Sequence, residues 1–262
     1  MTGFLASVTS AGEVEIVLAA GADIIDLKDP HSGALGALPS AVIRDAVRAV
    51  ASRRTVSATA GDLPMQPRLV TAAAARIAAL GVDIVKVGLF ANGEPLACID
   101  ALAEQAARGT RIVAVLFADQ APDFAVIDRL RAAGFAGAML DTADKHAGGL
   151  RRHLGDAVLG DFVERVSRCG MLSGLAGSLG LADIVPLARH APDYLGFRGA
   201  LCKDGRTSLL DAARVRAVRA AIDQAGDHHP STARIATAAA GAQRAAHSRV
   251  ADSPSTRPAK ST

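Results

Sequence analysis

Eight short apolar segments alternate with eight amphipathic segments over the first 226 residues of the 262-residue chain. Such alternation is typical of parallel sheets covered by helices, and eight units in about 225 residues predict an α/β fold, a (β/α)8 (TIM) barrel in a single domain. A doubly wound open sheet is the alternative fold. That fold would have about six strands, and its G-x-G-x-x-G turn follows none of the predicted strands.

The predicted strands are short, rich in β-branched residues and bounded by glycine or proline. They cover residues 4–8, 23–28, 55–59, 83–88, 111–117, 137–141, 171–176 and 194–198. Apolar residues at helical spacing predict helices over 11–20, 39–52, 67–80, 94–108, 122–133, 155–169, 181–191 and 208–225. The last helix is expected to begin at a cap from Thr207 or Ser208 and to stop at Gly226.

The predicted joints between helix and strand repeat one pattern. GADII at 21–25, GVDIV at 81–85 and APDYL at 191–195 each end a helix and lead into a strand. A glycine there takes the left-handed conformation that closes a helix, and a short loop follows. The repetition favours one architecture throughout.

The composition excludes several classes of protein. No apolar run approaches the roughly 18 residues of a membrane span, and the N-terminal residues meet Glu13 without a basic region, so neither a membrane protein nor a secretory signal is predicted. Cys98, Cys169 and Cys202 lack C-x-x-C spacing, which favours reduced thiols in a cytoplasmic protein. Residues 1–226 are neutral overall and have no basic stripe with interleaved aromatics, so no nucleic-acid partner is expected.

The net charge of +3 belongs to the C-terminal segment. This segment is rich in Ala, Ser, Thr and Pro and has few large apolar residues, a composition typical of disorder. The sequence therefore predicts a catalytic barrel domain over 1–226 and a disordered tail over 227–262. No metal site is predicted, and the adjacent His228 and His229 are interpreted as solvated.

Lysine is scarce in this chain. There are five lysines, at positions 28, 86, 145, 203 and 260, against twenty-four arginines. Arginine cannot replace a lysine whose amine must lose its proton and attack a carbonyl, because guanidinium stays protonated. The lysines that remain are therefore candidates for amine chemistry.

Charged residues gather at the carboxyl ends of the predicted strands, where TIM barrels carry their active sites. Asp26 and Lys28 are two residues apart and project to the same side. Lys86 lies in the fourth strand, Asp141 ends the sixth, and Lys145 follows in its loop. A structural ion network is the alternative. Because buried ions are costly to desolvate and clustered ammonium groups lower one another's pKa, we favour an imine-forming catalytic site.

Two loops have the composition of a phosphate site. Gly177 and Ser178 follow the seventh strand, while Arg198 ends the eighth and Gly199 follows it. Barrels often hold phosphate in these two loops, where glycine lets backbone N–H groups approach and an arginine adds a charge-assisted contact. The alternative is that the glycines serve only tight turns. The pairing of the two loops favours phosphate binding.

Five blocks of sequence carry a family resemblance: GADIIDLKDP (21–30), SATAGD (57–62), DIVKVGL (83–89), MLDTADK (139–145) and GFRGA (196–200). Together they resemble the (5-formylfuran-3-yl)methyl phosphate synthase family, in the family's order, from about residue 4 to 222. The resemblance implies a lyase that joins two glyceraldehyde 3-phosphate molecules into a furan aldehyde phosphate, a precursor of methanofuran or a related one-carbon carrier. It implies no metal or organic cofactor.

The resemblance also implies residue roles. By position, Lys28 matches the family's Schiff-base lysine and Lys86 its proton acceptor, while Asp26, Asp141 and Lys145 match the other polar members of the site. After Lys145 the chain departs from the family, since HAGG replaces the more usual Asp-Gly and leaves the shape of that loop open.

Two other functions stay open at this stage. One is a different Schiff-base aldolase that acts on sugar phosphates, and the other is a non-catalytic sugar-phosphate-binding barrel. The expected partner is a small-molecule triose phosphate, without nucleic acid or membrane. The alanine-rich outer helices also permit the close subunit packing of a homo-oligomer.

Overall fold

The computed structural model describes residues 1–226, and the tail predicted over 227–262 lies outside the described residues. The strands are β1 (Gly3–Val8), β2 (Ile24–Leu27), β3 (Thr55–Thr59), β4 (Ile84–Gly88), β5 (Ile112–Phe117), β6 (Gly137–Asp141), β7 (Leu172–Leu175) and β8 (Tyr194–Phe197). The helices are α1 (Ala11–Ala19), α2 (Ser40–Val50), α3 (Pro67–Ala78), α4 (Pro95–Ala107), α5 (Val126–Ala132), α6 (Leu150–His153), α7 (Asp156–Arg168), α8 (Leu181–Ala188) and α9 (Ala212–Gly226).

The eight strands form a closed parallel barrel in the order of the chain. β8 closes the barrel against β1, with Gly3 opposite Tyr194 and Ala6 opposite Phe197. The prediction of a (β/α)8 barrel is therefore confirmed. All eight predicted strands are present, and their bounds differ from the predicted bounds by at most one residue at either end.

The repeated joints have a common geometry. Gly21, Gly81 and Ala191 have φ values of +77°, +87° and +52°, the left-handed conformation that ends a helix. The aspartate that follows each of them accepts a 2.8 Å hydrogen bond from a backbone N–H of the preceding strand. The pairs are Asp23 with Phe4, Asp83 with Val56, and Asp193 with Ser173. The joint thus ends the helix and fastens two neighbouring strands at the amino end of the barrel.

The beginning of α9 differs from the prediction. The helix begins at Ala212, where the Asp211 carboxylate accepts backbone N–H bonds from Ala213 and Arg214, and not at a cap from Thr207 or Ser208. The reason is an antiparallel bridge between Cys202 and Leu210, which closes the residues between them into a loop of bends and turns.

Two further differences lie in the loops that follow strands. The short helix α6 lies in the loop after β6, and turns of 3-10 helix follow β5 and β8. None of the helices within residues 1–226 is long and apolar enough to cross a membrane.

The core has an inner and an outer layer. Along β2, Ile25 and Leu27 are fully buried between the strand and the outer helices, whereas Asp26 points inward and is also fully buried. The inward-facing layer at the carboxyl end is therefore polar, and it forms the floor of the site described next.

Candidate active site

The strand register places three polar residues side by side at the carboxyl end of the barrel interior. Ser7 of β1 pairs with Asp26 of β2, which pairs with Ser57 of β3. Ser7 Oγ donates to Asp26 Oδ2 at 2.9 Å and Ser57 Oγ donates to Oδ1 at 2.7 Å. The Asp26 carboxylate is thus held in place from both sides.

Lys86 of β4 completes this cluster. Its Nζ donates to Asp26 Oδ1 at 3.0 Å, and the two side chains are 2% and 0% exposed. Burial alone would raise the pKa of Asp26, but the charges of Lys86 and Lys28 outweigh burial and lower it. Asp26 is therefore an ionised carboxylate with a fixed orientation.

A second cluster surrounds Asp141, the last residue of β6. Lys145 Nζ donates to Asp141 Oδ1 and, at 3.3 Å, to Thr142 Oγ1, while Lys28 Nζ lies 3.7 Å from Asp141 Oδ2. Burial by itself would raise the pKa of Asp141. Lys145 and Lys28 outweigh that effect and hold its pKa well below the usual range. The Asp141 carboxylate is therefore shared by the amines of Lys145 and Lys28.

Lys28 is the more weakly held of these two amines. Burial, with the positive charges of Lys145 and Lys86, lowers its pKa to about 8, against the opposing pull of Asp141. At neutral to mildly alkaline pH a substantial fraction of the Lys28 side chain is therefore the neutral amine. A neutral amine is the form that attacks a carbonyl to give an imine.

Both clusters open into one cavity of about 360 Å³ in the barrel mouth. Its size is at the lower end of the roughly 300–1,000 Å³ found for small-molecule sites. Lys28, Lys86, Asp141 and Lys145 contribute to its walls, and Ser178, Gly199 and Arg206 lie on the β7 and β8 side. The structure thus brings together the five residues predicted to be catalytic, four in the wall and Asp26 directly behind Lys86.

The loop after β7 presents backbone donors to this cavity. Gly177 and Ser178 have φ values of +110° and +50°, and a Cβ at position 177 would lie only 3.0 Å from Thr142. Within residues 1–226 neither of their N–H groups donates to another backbone group. Successive N–H groups in such a turn suit an anion.

Arg198 is used differently from the prediction. Its guanidinium donates to Glu13, to the carbonyl oxygens of Ser7 and Ser208, and through Nε to the carbonyl of Arg206. These bonds occupy its five N–H donors. The Arg198 side chain therefore braces the β8 loop and has no donor left for phosphate, whereas its neighbour Gly199 lines the cavity and stays a predicted phosphate-binding residue.

Arg206 is the charged cavity residue that the sequence analysis did not identify. It is half-buried in the loop after β8, lines the cavity, and donates from Nη2 to the Gly33 carbonyl at 2.9 Å. Lys203 in the same loop is exposed. The available signal was a second arginine eight residues after Arg198, in a loop that barrels use for phosphate.

The HAGG segment after Lys145 packs against the loop after β7. Leu150 N, just beyond it, donates to Gly177 O at 2.9 Å, and a Cβ at Gly149 would lie 3.4 Å from the Ser178 carbonyl. The segment that departs from the family pattern thus lies beside the turn at Gly177 and Ser178.

The loop after β2 covers the opposite side of the mouth. The Asp62 carboxylate accepts N–H bonds from Ala34 at 2.7 Å and Leu35 at 2.6 Å, and the Leu35 side chain is fully buried.

Within the described part of the chain, no three His, Cys, Asp or Glu side chains are grouped to hold a metal ion.

The closed barrel and its lysine-lined mouth define the class of the chain as a TIM-barrel enzyme with a small-molecule site. A likeness of fold to solved barrels agrees with this class. Phosphoribosyl anthranilate isomerase from Thermus thermophilus superposes with a TM-score of 0.61 at 14% identity, covering 86% of this chain and 99% of that one.

Sequence comparison identifies the particular family. The model of the 4-HFC-P synthase family matches residues 4–219. A (5-formylfuran-3-yl)methyl phosphate synthase of Methanococcus aeolicus is 35% identical over 74% of this chain and 87% of its own length. A Methylorubrum extorquens protein, named as a candidate for the same activity, is 48% identical over 80% of this chain and 87% of its own. The chain belongs to the 4-HFC-P synthase family and is an enzyme.

Proposed function

We propose that the enzyme joins two molecules of glyceraldehyde 3-phosphate into (5-formylfuran-3-yl)methyl phosphate through an imine on Lys28. The observation that carries this proposal is the position of the Lys28 amine, which lines the cavity, lies 3.7 Å from Asp141 and has a pKa lowered to about 8. The family membership supports the identity of the product.

The first steps need a neutral amine and a base. One triose phosphate isomerises to its ketone by proton transfer, and Lys28 Nζ then adds to the ketone carbon and expels water. The resulting iminium withdraws electrons, so its carbon becomes an electrophile. We assign to Lys86, which lines the cavity with Asp26 as its 3.0 Å partner, the removal of the C2 proton of the second triose.

The later steps form the ring. The second triose loses its C2 proton and its phosphate to give an enol, whose terminal carbon attacks the central carbon of the Lys28 iminium, because the furan carries its phosphorylated carbon as a branch. The CH2OH oxygen of the first triose then closes the ring on the new ketone, and loss of water and of the Lys28 amine gives the furan. The atoms of two trioses equal those of the product plus one phosphate and two waters, so no oxidant or reductant is needed. Asp141 and Lys145 are placed to relay protons in these steps, each of which acid–base groups accelerate by about 10²–10⁴-fold.

The loop after β7 is proposed to hold one substrate phosphate. Gly177, Ser178 and Gly199 line the cavity, and within residues 1–226 the N–H groups of Gly177 and Ser178 donate to no other backbone group. Backbone donors of this kind bind phosphate without a side-chain counterion. We further propose that the furan feeds the synthesis of a methanofuran-type carrier in the cytoplasm, where the free thiols of Cys98 and Cys202 stay reduced.

The decisive test is incubation with glyceraldehyde 3-phosphate. The proposal predicts a furan chromophore in the near ultraviolet together with free phosphate, and borohydride should fix a triose-derived mass on Lys28. Lys28→Arg should lose both signals, whereas Lys203→Arg, at an exposed lysine of the β8 loop, should keep them.

Other outcomes would contradict the proposal. A hexose bisphosphate without phosphate release would identify an ordinary Schiff-base aldolase. Tight reversible binding with no adduct and no turnover would identify a sugar-phosphate-binding barrel.

A further inference from the structure

We propose that the Arg206 guanidinium binds the phosphate of the second triose, the one that does not form the imine, on the side of the mouth opposite the Gly177–Ser178 turn. The inference rests on the proposed function and deepens it, because a reaction between two phosphorylated trioses needs two anion sites. The turn after β7 is assigned to one of them, and the loop after β8, which barrels also use for phosphate, carries Arg206.

The two arginines of the β8 loop differ in how their charges are compensated. Arg198 is paired with Glu13 at 2.7 Å and is buried. Arg206 is also partly withdrawn from water, yet within residues 1–226 it has no carboxylate within ion-pair distance. The carboxylates that act on the Arg206 guanidinium, Asp141 and Asp62 foremost, do so from beyond that distance and are outweighed by its burial. A half-buried cation that has no ion-pair partner and lines a cavity suits an anionic ligand.

Arg206 also retains free donors. A guanidinium carries five N–H groups in a planar fork. In the described part of the chain, one hydrogen bond from the Arg206 side chain is present, from Nη2 to the Gly33 carbonyl. The remaining donors are free to bind a phosphate in the bidentate manner that arginine favours over lysine.

The position of the guanidinium separates it from the turn after β7. Arg206 begins beside Gly199, where a Cβ on the glycine would lie 4.0 Å from Arg206 Cβ, and it ends at Gly33 in the loop after β2. β2 and β7 are three strands apart in the barrel, so the carbonyl that the guanidinium holds belongs to a different part of the rim from the turn that carries Gly177.

This arrangement places Lys28 between two anion sites. Lys28 directly follows β2 and lines the same cavity as Arg206 and Gly177. When the triose bound as an imine places its phosphate on the β7 side of the cavity, the β2 side is free for the second triose. The wall of this cavity carries more positive than negative charge, since the residues that line it include Lys28, Lys86, Lys145 and Arg206 but, among the described residues, a single carboxylate, that of Asp141.

Kinetics with separated substrates test the inference. Dihydroxyacetone phosphate serves as the imine-forming triose and glyceraldehyde 3-phosphate as its partner. For Arg206→Gln we expect the borohydride adduct of dihydroxyacetone phosphate on Lys28 to stay within about twofold of the unsubstituted enzyme. The KM for glyceraldehyde 3-phosphate should rise about 10- to 100-fold, because a charge-assisted contact is lost.

Two controls separate binding from a structural effect. Arg216→Gln removes an exposed arginine of α9 and should change neither KM. In Arg206→Lys the KM for glyceraldehyde 3-phosphate should return part of the way to the value of the unsubstituted enzyme. Lysine keeps the positive charge but lacks the paired N–H donors of the guanidinium.

The contrary results are distinct. An unchanged KM for glyceraldehyde 3-phosphate in Arg206→Gln would overturn the inference. So would a tenfold weaker adduct with dihydroxyacetone phosphate, which would assign Arg206 to the first triose. In both cases furan formation by the unsubstituted enzyme leaves the proposed function standing. Absence of furan and adduct in the unsubstituted enzyme would instead overturn both.

Discussion

The two aspartate clusters of the barrel mouth contain the same types of groups in different ratios. Asp26 accepts from two serines and one lysine and is wholly shielded from solvent. Asp141 is shared by Lys145 and Lys28, of which Lys145 is hydrogen-bonded while Lys28 lies 3.7 Å away. A carboxylate with one lysine keeps that lysine paired, whereas a carboxylate with two leaves one amine in excess. The excess amine is the one suited to attack a carbonyl.

The largest effect should come from removing that amine. Lys28→Arg keeps the positive charge and removes the nucleophile, so furan formation should fall at least about 10³-fold, as for other enzymes that lose a covalent nucleophile. Release of phosphate from glyceraldehyde 3-phosphate measures the loss. Retained activity above one tenth would show that the excess amine has no covalent role.

The next largest effect should come from the shared carboxylate. Asp141→Asn removes the negative charge that raises the pKa of Lys28, so that pKa should fall further and the adduct should form at lower pH. Turnover should fall about 10²-fold, because the proton relay is lost. The pH profile of borohydride trapping measures the shift, and Asp204→Asn at an exposed position is the matched control. A shift to higher pH would contradict the account.

A smaller effect is expected in the cluster around the buried Asp26. Ser57→Ala removes a 2.7 Å hydrogen bond to the buried Asp26 carboxylate and should lower the free energy of unfolding by about 2 kcal/mol. Activity should fall less than in Asp141→Asn, because Lys86 still holds Asp26. Denaturant unfolding measures the change. The comparison of the two clusters would fail if Ser57→Ala abolished turnover without affecting stability.

The site residues that the sequence could predict are those with a local signature. Asp26 and Lys28 follow from the alternation of one strand, and Asp141 from its place at a strand end. The partners of the two loop arginines have no such signature. Arg198 meets Glu13 across 185 positions of the chain, and Arg206 meets Gly33 across 173, so only the closed barrel reveals which arginine is occupied.

The same limit explains the misplaced beginning of α9. Thr207 and Ser208 are good capping residues in isolation. The bridge between Cys202 and Leu210 closes this stretch into a loop of bends and turns, and such a constraint overrides local preference. The repeated aspartates of the joints were visible in the sequence, but their bonds to the preceding strand become evident only in the barrel.

The most direct test of the account is the pH dependence of imine trapping at Lys28. The unsubstituted enzyme is incubated with dihydroxyacetone phosphate and borohydride at a series of pH values, and the adduct on each lysine is quantified by mass spectrometry. The account predicts an adduct on Lys28 whose initial rate of formation rises with a midpoint near pH 8, where burial and neighbouring charges place its pKa. An adduct confined to another lysine, or a midpoint at the ordinary lysine value of about 10.5, would contradict it.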